Sequence, residues 1–293
     1  MANIAPPMKM MTKISHVAIA ALALAACAPP AQPAAQPITA SIALGAPTHQ
    51  WRLPDSLREI SGLAVAPDGR LFAHNDEIAV IYEIAPRDGR LVKAFALGQP
   101  VQAGDFEGLA IAPDGAFWMT TSQGQIYSFR EGADGAGVAF QTFNTNLSSV
   151  CEVEGLAYLA TDQSLILACK RNEARAMRDE IVLYAWRPGE TAAHVWATLP
   201  EADIAARAGV RRFRPSSLDI DARTGRILLL SAFDGAIVEL GPHGELVNAA
   251  ALTGEHVQAE GVAMLSDGSV VIADEAGGRG RRALLSVYPG FGS

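Results

Sequence analysis

Five times along the chain a short run of alternating apolar and polar positions meets a polar turn and then a second, almost wholly apolar run. The copies are Gly62–Ala73, Gly108–Met119, Gly155–Ala168, Ser217–Leu230 and Gly261–Ala273, with leading residues 46, 47, 62 and 44 positions apart. A period of two is the signature of a β-strand, so each copy predicts a hairpin. The turns support it. Pro67-Asp68-Gly69 and Pro113-Asp114-Gly115 preset one backbone angle with proline and supply positive φ with glycine. Third strands are predicted at 80–84, 125–129, 181–186, 236–240 and 284–288. Fourth strands are predicted at 91–97, 138–143, 194–199 and 246–252.

Repetition at a fixed period decides the architecture before any local detail. Strands this short cannot bury both faces alone, and four-stranded sheets stacked around an axis solve that problem. The chain therefore reads as all-β, a five-bladed β-propeller. An open sandwich would need no fivefold phrase. On the first strands, Leu63, Leu109, Leu156, Leu218 and Val262 form one face, and Ala64, Ala110, Ala157, Asp219 and Ala263 the other. Large side chains of one blade are expected on the alanine face of the next. Asp219 breaks that rule, so it should be hydrogen-bonded locally or lie near a site. The last copy lacks a fourth strand, and the segment 49–53 is expected to supply it and close the ring. The longer third interval predicts a short helix at 201–208.

The start of the chain has another character. Lys9 and Lys13 precede an uncharged apolar run, 17–26, which is too short to span a bilayer. It ends in Leu24-Ala25-Ala26-Cys27, which resembles the lipobox of bacterial lipoproteins, with Met8 as an alternative start. Residues 1–27 are thus expected to be a lipoprotein signal peptide with Cys27 lipidated. An ordinary signal peptide cut after Ala26 is the competing reading. Residues 28–46 form a Pro/Ala-rich linker and 47–293 the propeller. The expected location is the bacterial cell envelope, as an outer-membrane lipoprotein facing the periplasm and touching the membrane through its lipid anchor only. A net charge of −8 without a basic stripe argues against nucleic acid as a partner, and a monomer is expected. Cys151 and Cys169 are candidates for a disulfide in an oxidising compartment. Plain cross-strand register sets them several residues out of line, so two inert thiols are the alternative.

In a propeller, residues just before the repeat glycine and just after the second strand meet at one channel mouth. Before the glycine stand Ser61, Glu107, Glu154, Ser216 and Glu260. After the second strand stand Asp76, Ser122, Lys170, Ser231 and Glu275. Three glutamates around a narrow funnel repel unless one is protonated, water screens them, or a cation sits among them. All-oxygen donors suit Ca²⁺ better than zinc. Glutamates that merely cap strand starts and face solvent are the bland alternative. His74 and His256 have no visible nucleophile beside them, and neither a Gly-x-Ser-x-Gly nor a His-Glu-x-x-His motif occurs. The basic residues at Lys170, Arg171, Arg175 and Arg178, and at Arg279, Arg281 and Arg282, either attract an anion or are solvated loop charge.

The phrases Glu59-Ile60-Ser61-Gly62-Leu63, Asp105-Phe106-Glu107-Gly108-Leu109, Val153-Glu154-Gly155-Leu156 and Gln258-Ala259-Glu260-Gly261-Val262 resemble the SdiA-regulated family of bacterial envelope proteins, from about Trp51 to Tyr288. The resemblance implies a five-bladed propeller related to NHL-type repeats, with a calcium site and no established activity. It places calcium on Glu107, Glu154 and Glu260. Asp76 and Glu275 keep the family's acidic residue after the second strand, whereas Ser122, Lys170 and Ala232 depart from it, so a site nearer blades one and five is also open. The reading is a calcium-binding module with an unknown ligand or protein partner at the channel mouth. The alternative is a calcium-dependent hydrolase of phosphate esters or lactones.

Overall fold

The computed structural model describes residues 1–2, 44–278 and 280–290. The lipobox and Cys27 lie outside them. From residue 44 onward the chain builds five sheets of antiparallel strands around one axis, a five-bladed propeller. Strand β1, His49–Arg52, comes first. Blade one holds β2 (Ile60–Val65), β3 (Leu71–Asn75), β4 (Val80–Ala85) and β5 (Arg90–Leu97). Blade two holds β6 (Phe106–Ile111), β7 (Ala116–Thr121) and β8 (Gln125–Arg130), then, after a two-residue strand β9 (Gly137–Val138), β10 (Phe140–Asn144). Blade three is β11 (Cys151–Leu159), β12 (Ser164–Asn172), β13 (Glu180–Trp186) and β14 (His194–Pro200). A helix, α1 (Glu201–Ala208), leads into blade four: β15 (Ser217–Ile220), β16 (Ile227–Ser231), β17 (Ala236–Leu240) and β18 (Leu246–Ala251). Blade five is β19 (Ala259–Met264), β20 (Val270–Asp274) and β21 (Leu284–Tyr288).

The ring closes as the sequence requires. β1 pairs antiparallel with β21, His49 opposite Val287 and Arg52 opposite Leu284. Leu53 and Leu57 follow it into the core, both fully buried. Contacts begin even earlier than residue 47, because Leu44 is buried against blade five and its carbonyl accepts a 2.9 Å bond from Thr253 Oγ1. This closure satisfies a strand edge that would otherwise be open to pairing with another chain.

The seams between blades follow the alternation in the inner strands. Leu109 packs with Ala64, Leu156 with Ala110, Leu218 with Ala157, and Leu63 with Ala263. The repeat glycine allows that approach. A Cβ on Gly108 would lie 2.7 Å from the Leu156 backbone nitrogen, and one on Gly155 would lie 2.9 Å from that of Leu218. In blade four a serine takes the glycine's place, and the fourth seam is sewn with side-chain hydrogen bonds. Ser217 Oγ accepts from Val262 N at 3.1 Å, Asp219 Oδ2 accepts from Met264 N at 2.7 Å, and Ser216 Oγ donates to the Ala259 carbonyl at 2.7 Å. The misfit Asp219 is therefore explained as an acceptor for an inner-edge N–H that has no strand partner.

Two expectations need correction. The run 138–143 is not one strand of blade two. Val138 pairs in parallel with Leu97 of blade one, and only β10 completes blade two. Glu131 draws this loop back by ion pairs to Arg70 and Lys93 of blade one. The alternative of two inert thiols is also overturned, although the cysteines are out of register as expected, with Cys151 opposite Asn172 and Cys169 opposite Val153. Cys151 and Cys169 are bonded, with Cα atoms 5.6 Å apart. A bulge at Lys170 of β12 and another at Glu154 of β11 set Val153 opposite Cys169, which brings Cys151 within diagonal reach.

Candidate functional site

Four inner strands carry a register shift at the same point. In β2 it falls between Ile60 and Gly62, in β6 between Phe106 and Gly108, in β11 between Val153 and Gly155, and in β19 between Ala259 and Gly261. Each skipped residue (Ser61, Glu107, Glu154 and Glu260) is the extra member of a β-bulge. Bulges re-aim one side chain out of the normal alternation. Here all four are turned toward the channel axis, where they line one cavity of about 140 Å³. Blade four has no such shift, and neither Ser216 nor Ser217 lines this cavity.

The second strands and the loops complete the mouth with Asp76, Lys170 and Glu275, joined by Glu59 and Gln258. All five expected ligands, Asp76, Glu107, Glu154, Glu260 and Glu275, thus stand around one cavity. Ser61 Oγ donates to Glu107 Oε2 at 3.2 Å. Gln258 Nε2 donates to Glu260 Oε1 at 3.0 Å and also to Glu275. Lys170 Nζ donates to Glu154 Oε1 at 2.8 Å and lies 3.6 Å from Glu152. The lysine that replaces an expected acid therefore brings the site its own cation on the blade-three side.

Charge at this mouth is under strain. Burial pushes Glu260 up to about 7, with Gln258 and Lys170 opposing. Burial and the neighbouring Glu59 raise Asp76 to about 6. Glu275 is raised by burial and by a hydrogen bond shared with Glu59. Glu107 is raised by burial and by the charge of Glu154, and Glu154 by burial against the pull of Lys170. These carboxyls lack sufficient countercharge. Two buried oxygens, Asp76 Oδ1 and Glu260 Oε2, have no hydrogen-bond partner.

Those orphaned oxygens test the fit of a metal. Asp76 and Glu260, with Glu275 and Glu59 beside them, offer the hard oxygen donors that calcium takes. Glu154 does not, because Lys170 already holds it. Among the described residues no three acidic, histidine or cysteine side chains form a ready-made ligand cluster. An ion would have to draw the blade-one and blade-five carboxylates inward. The donor chemistry fits calcium, on the side away from Lys170.

The remaining candidates lie elsewhere. His74 is fully buried against Gly62, and burial lowers it to about 4. His256 bridges Asp274 and Tyr288, and the Tyr288 hydroxyl donates to the Thr253 carbonyl at 2.7 Å, so this network ties the loop before β19 to its blade. Neither histidine lines the acidic cavity. At the other end of the channel lies a larger, mainly apolar cavity of about 320 Å³, walled by Ala64, Ala110, Ala157, Met264 and Asp219. Its size is greater, but the titratable groups gather at the acidic end. The Arg281 carbonyl accepts from Arg58, and the Arg282 guanidinium lies 3.9 Å from Asp55; Arg279 is outside the described residues.

The profile of the SdiA-regulated family matches residues 44–278. The chain belongs to the SdiA-regulated family. No curated protein matches it in sequence. Solved structures similar to this SdiA-regulated protein include a glutaminyl cyclase from Myxococcus xanthus. That structure is 14% identical with a TM-score of 0.54, over 84% of this chain and 97% of that one. A luciferin-regenerating enzyme is 10% identical with a TM-score of 0.49, over 80% of this chain and 94% of that one. The RRP9 WD40 repeats are 13% identical with a TM-score of 0.48, over 84% and 100%. At this identity the likeness to the cyclase concerns the fold alone.

Proposed function

We propose that this SdiA-regulated protein is a calcium-binding module of the cell envelope, held by a lipid on Cys27, which presents its acidic channel mouth to a ligand. One observation carries the reading. Carboxylates from blades one, two, three and five converge on one cavity, and Asp76 Oδ1 and Glu260 Oε2 are buried there without partners. A buried, unpaired acceptor costs about 1–3 kcal/mol, and more when charged, so a cation at this mouth relieves a standing penalty. Asp76, Glu260, Glu275 and Glu59 would hold the ion. Lys170 and Glu154 form the neutralised remainder of the rim.

The bulges support a binding role because they place the side chains through the backbone rather than through long flexible loops. When bound, calcium supplies a fixed positive charge that can bridge the protein to an oxygen-bearing ligand. Titration calorimetry of the full chain with CaCl₂ tests the reading. The wild type is expected to bind calcium. Glu260→Gln and Asp76→Asn are expected to weaken binding by roughly tenfold each, the loss of one charged ligand. Glu154→Gln should matter less. Absence of calcium binding in the wild type would contradict the proposal. A panel of phosphate esters and lactones, with calcium present, is expected to show no turnover, and calcium-dependent hydrolysis would favour the hydrolase reading instead.

A further inference from the structure

Beside the acidic mouth, between blades three and four, the surface opens into a groove of about 820 Å³. Lys170 and Arg171 reach it from the end of β12, Arg178 from the loop before β13, and Arg211, Arg212 and Arg214 from the segment after α1. Six cationic side chains thus face four acidic ones, in a chain whose net charge is −8. Lys170 and Arg171 are held by Glu154, Glu152 and Glu173. Among the described residues, no acidic side chain lies within 4 Å of the guanidinium groups of Arg178, Arg211, Arg212 and Arg214, and their side chains make no hydrogen bond.

The segment that presents three of these arginines is rigidly seated. Phe213 is fully buried in the core between blades three and four, among Ile181, Ile204 and Leu199. Its backbone N–H donates to Glu201 Oε1 at 3.1 Å, and that of Arg214 donates to Ser231 Oγ at 3.3 Å. The aromatic anchor goes inward while the arginines on either side stay exposed. Unpaired guanidinium groups on a fixed backbone suit a planar or tetrahedral polyanion, which several of them can grip with paired hydrogen bonds. An ordinary solvated surface would pair these arginines with nearby acids. Here Glu173 is taken by Arg171 and Glu201 by the Phe213 backbone, while Asp179 and Glu180, which share the groove, come within 4 Å of none of the four arginines.

We propose that the groove between blades three and four is a binding site for a phosphate-bearing anion, gripped by Arg178 on one wall and Arg211, Arg212 and Arg214 on the other. A phosphate monoester carries close to two negative charges and three strong acceptors, a better match for four free guanidiniums than a single carboxylate. The site does not depend on calcium at the channel mouth. Lys170, which lines both cavities, sets the boundary between the cation side and the anion side.

The test measures binding of four probes to the full chain in chelator at fixed ionic strength. The probes are inorganic phosphate, glucose 6-phosphate, phosphatidylglycerol vesicles and phosphatidylcholine vesicles. The wild type is expected to bind at least one phosphate probe, with affinity falling as salt rises. Binding of the soluble probes identifies a free phosphate ester as the source, and binding of phosphatidylglycerol vesicles alone identifies a lipid headgroup. The combined Arg211→Gln, Arg212→Gln and Arg214→Gln variant is expected to weaken binding by at least roughly tenfold, and Arg178→Gln by a smaller factor. Both should melt like the wild type without ligand, since these side chains hold no partner, and Arg87→Gln serves as an exposed control. Failure of the wild type to bind any phosphate probe overturns the proposal. So does binding unchanged in both arginine variants, or vesicle binding that is as tight to phosphatidylcholine as to phosphatidylglycerol while neither soluble probe binds.

Discussion

The two ends of the channel are built from the same inner strands and yet differ in kind. One end gathers carboxylates around about 140 Å³; the other is walled by alanines around about 320 Å³. The difference traces to one extra residue in the inner strand of each of four blades. Where the strand alternates without interruption, Ala64, Ala110 and Ala157 face the leucines of the next blade, and their strands edge the apolar cavity. Where a bulge interrupts it, Ser61, Glu107, Glu154 and Glu260 are thrown toward the axis instead. A single backbone irregularity, repeated, thus separates a polar mouth from an apolar one. Chemistry concentrates at the end where regular pairing fails.

The most severe way to break this comparison is to spoil the close approach that both ends share. Gly108→Val would place a side chain 2.7 Å from the Leu156 backbone and Cβ, where nothing flexible can yield. A loss of about 3 kcal/mol or more is expected, read as a large fall in chemical-denaturation midpoint.

The pH dependence of stability separates the ends next. Folding raises Asp219 to about 7 at the apolar end, and Glu260 to about 7 and Asp76 to about 6 at the acidic end. Since unfolded carboxyls titrate near about 4, the folded chain retains protons that the unfolded chain has already released. The stability these groups contribute without calcium is therefore full only below about pH 4. It falls steadily from about pH 4 to about pH 7 and levels off above. Calcium, which displaces protons from its ligands, should flatten the part of this fall that arises at the acidic mouth and leave the Asp219 part intact. Denaturation midpoints across that range, with and without calcium, check both statements.

Smaller effects test the fourth seam. Asp219→Ala restores the alternation of the other blades but strands the Met264 N–H, with an expected loss of about 1 kcal/mol at pH 5.5. The loss should shrink at pH 8, where removing a buried charge offsets it. Ser217→Gly, the residue of the other four blades, should cost only a few tenths of a kcal/mol, because it removes one accepted hydrogen bond in a position that tolerates glycine. Thermal melts of both variants decide whether the seam is stitched by Asp219 or simply packed.

Much of the fold was legible in the chain because the repeat fixes it five times over. The third strands, the helix at 201–208 and the closing strand follow directly from apolar alternation and turn chemistry. The parallel pairing of Val138 with Leu97 was not legible, since it depends on Glu131 reaching Arg70 and Lys93 across a loop. The disulfide was hidden because hydrophobic pattern gives strand identity but not bulges, and the two bulges between the cysteines make Cys151 and Cys169 diagonal neighbours across the strands. At the site, Glu107, Glu154 and Glu260 were visible as equivalent positions. That Lys170 would turn back onto Glu154 was not, because a side-chain direction has no sequence signature. The groove arginines at 211, 212 and 214 were missed in the sequence, where the basic runs at 170–178 and 279–282 drew the eye, because three charges around a phenylalanine read as an ordinary loop. Only the burial of Phe213 gives that run a meaning.

The central claim is a cation at the acidic mouth, and its most direct measurement is the melting temperature of the full chain in calcium against chelator. A ligand that binds only the folded state at about 100 times its Kd adds about 2.7 kcal/mol, worth roughly 5–10 °C in a domain of this size. A rise of that order is expected in the wild type, most of it lost in Glu260→Gln and largely kept in Glu154→Gln, whose carboxylate already belongs to Lys170. An unchanged melting temperature in calcium, or a rise undiminished in Glu260→Gln, would contradict it.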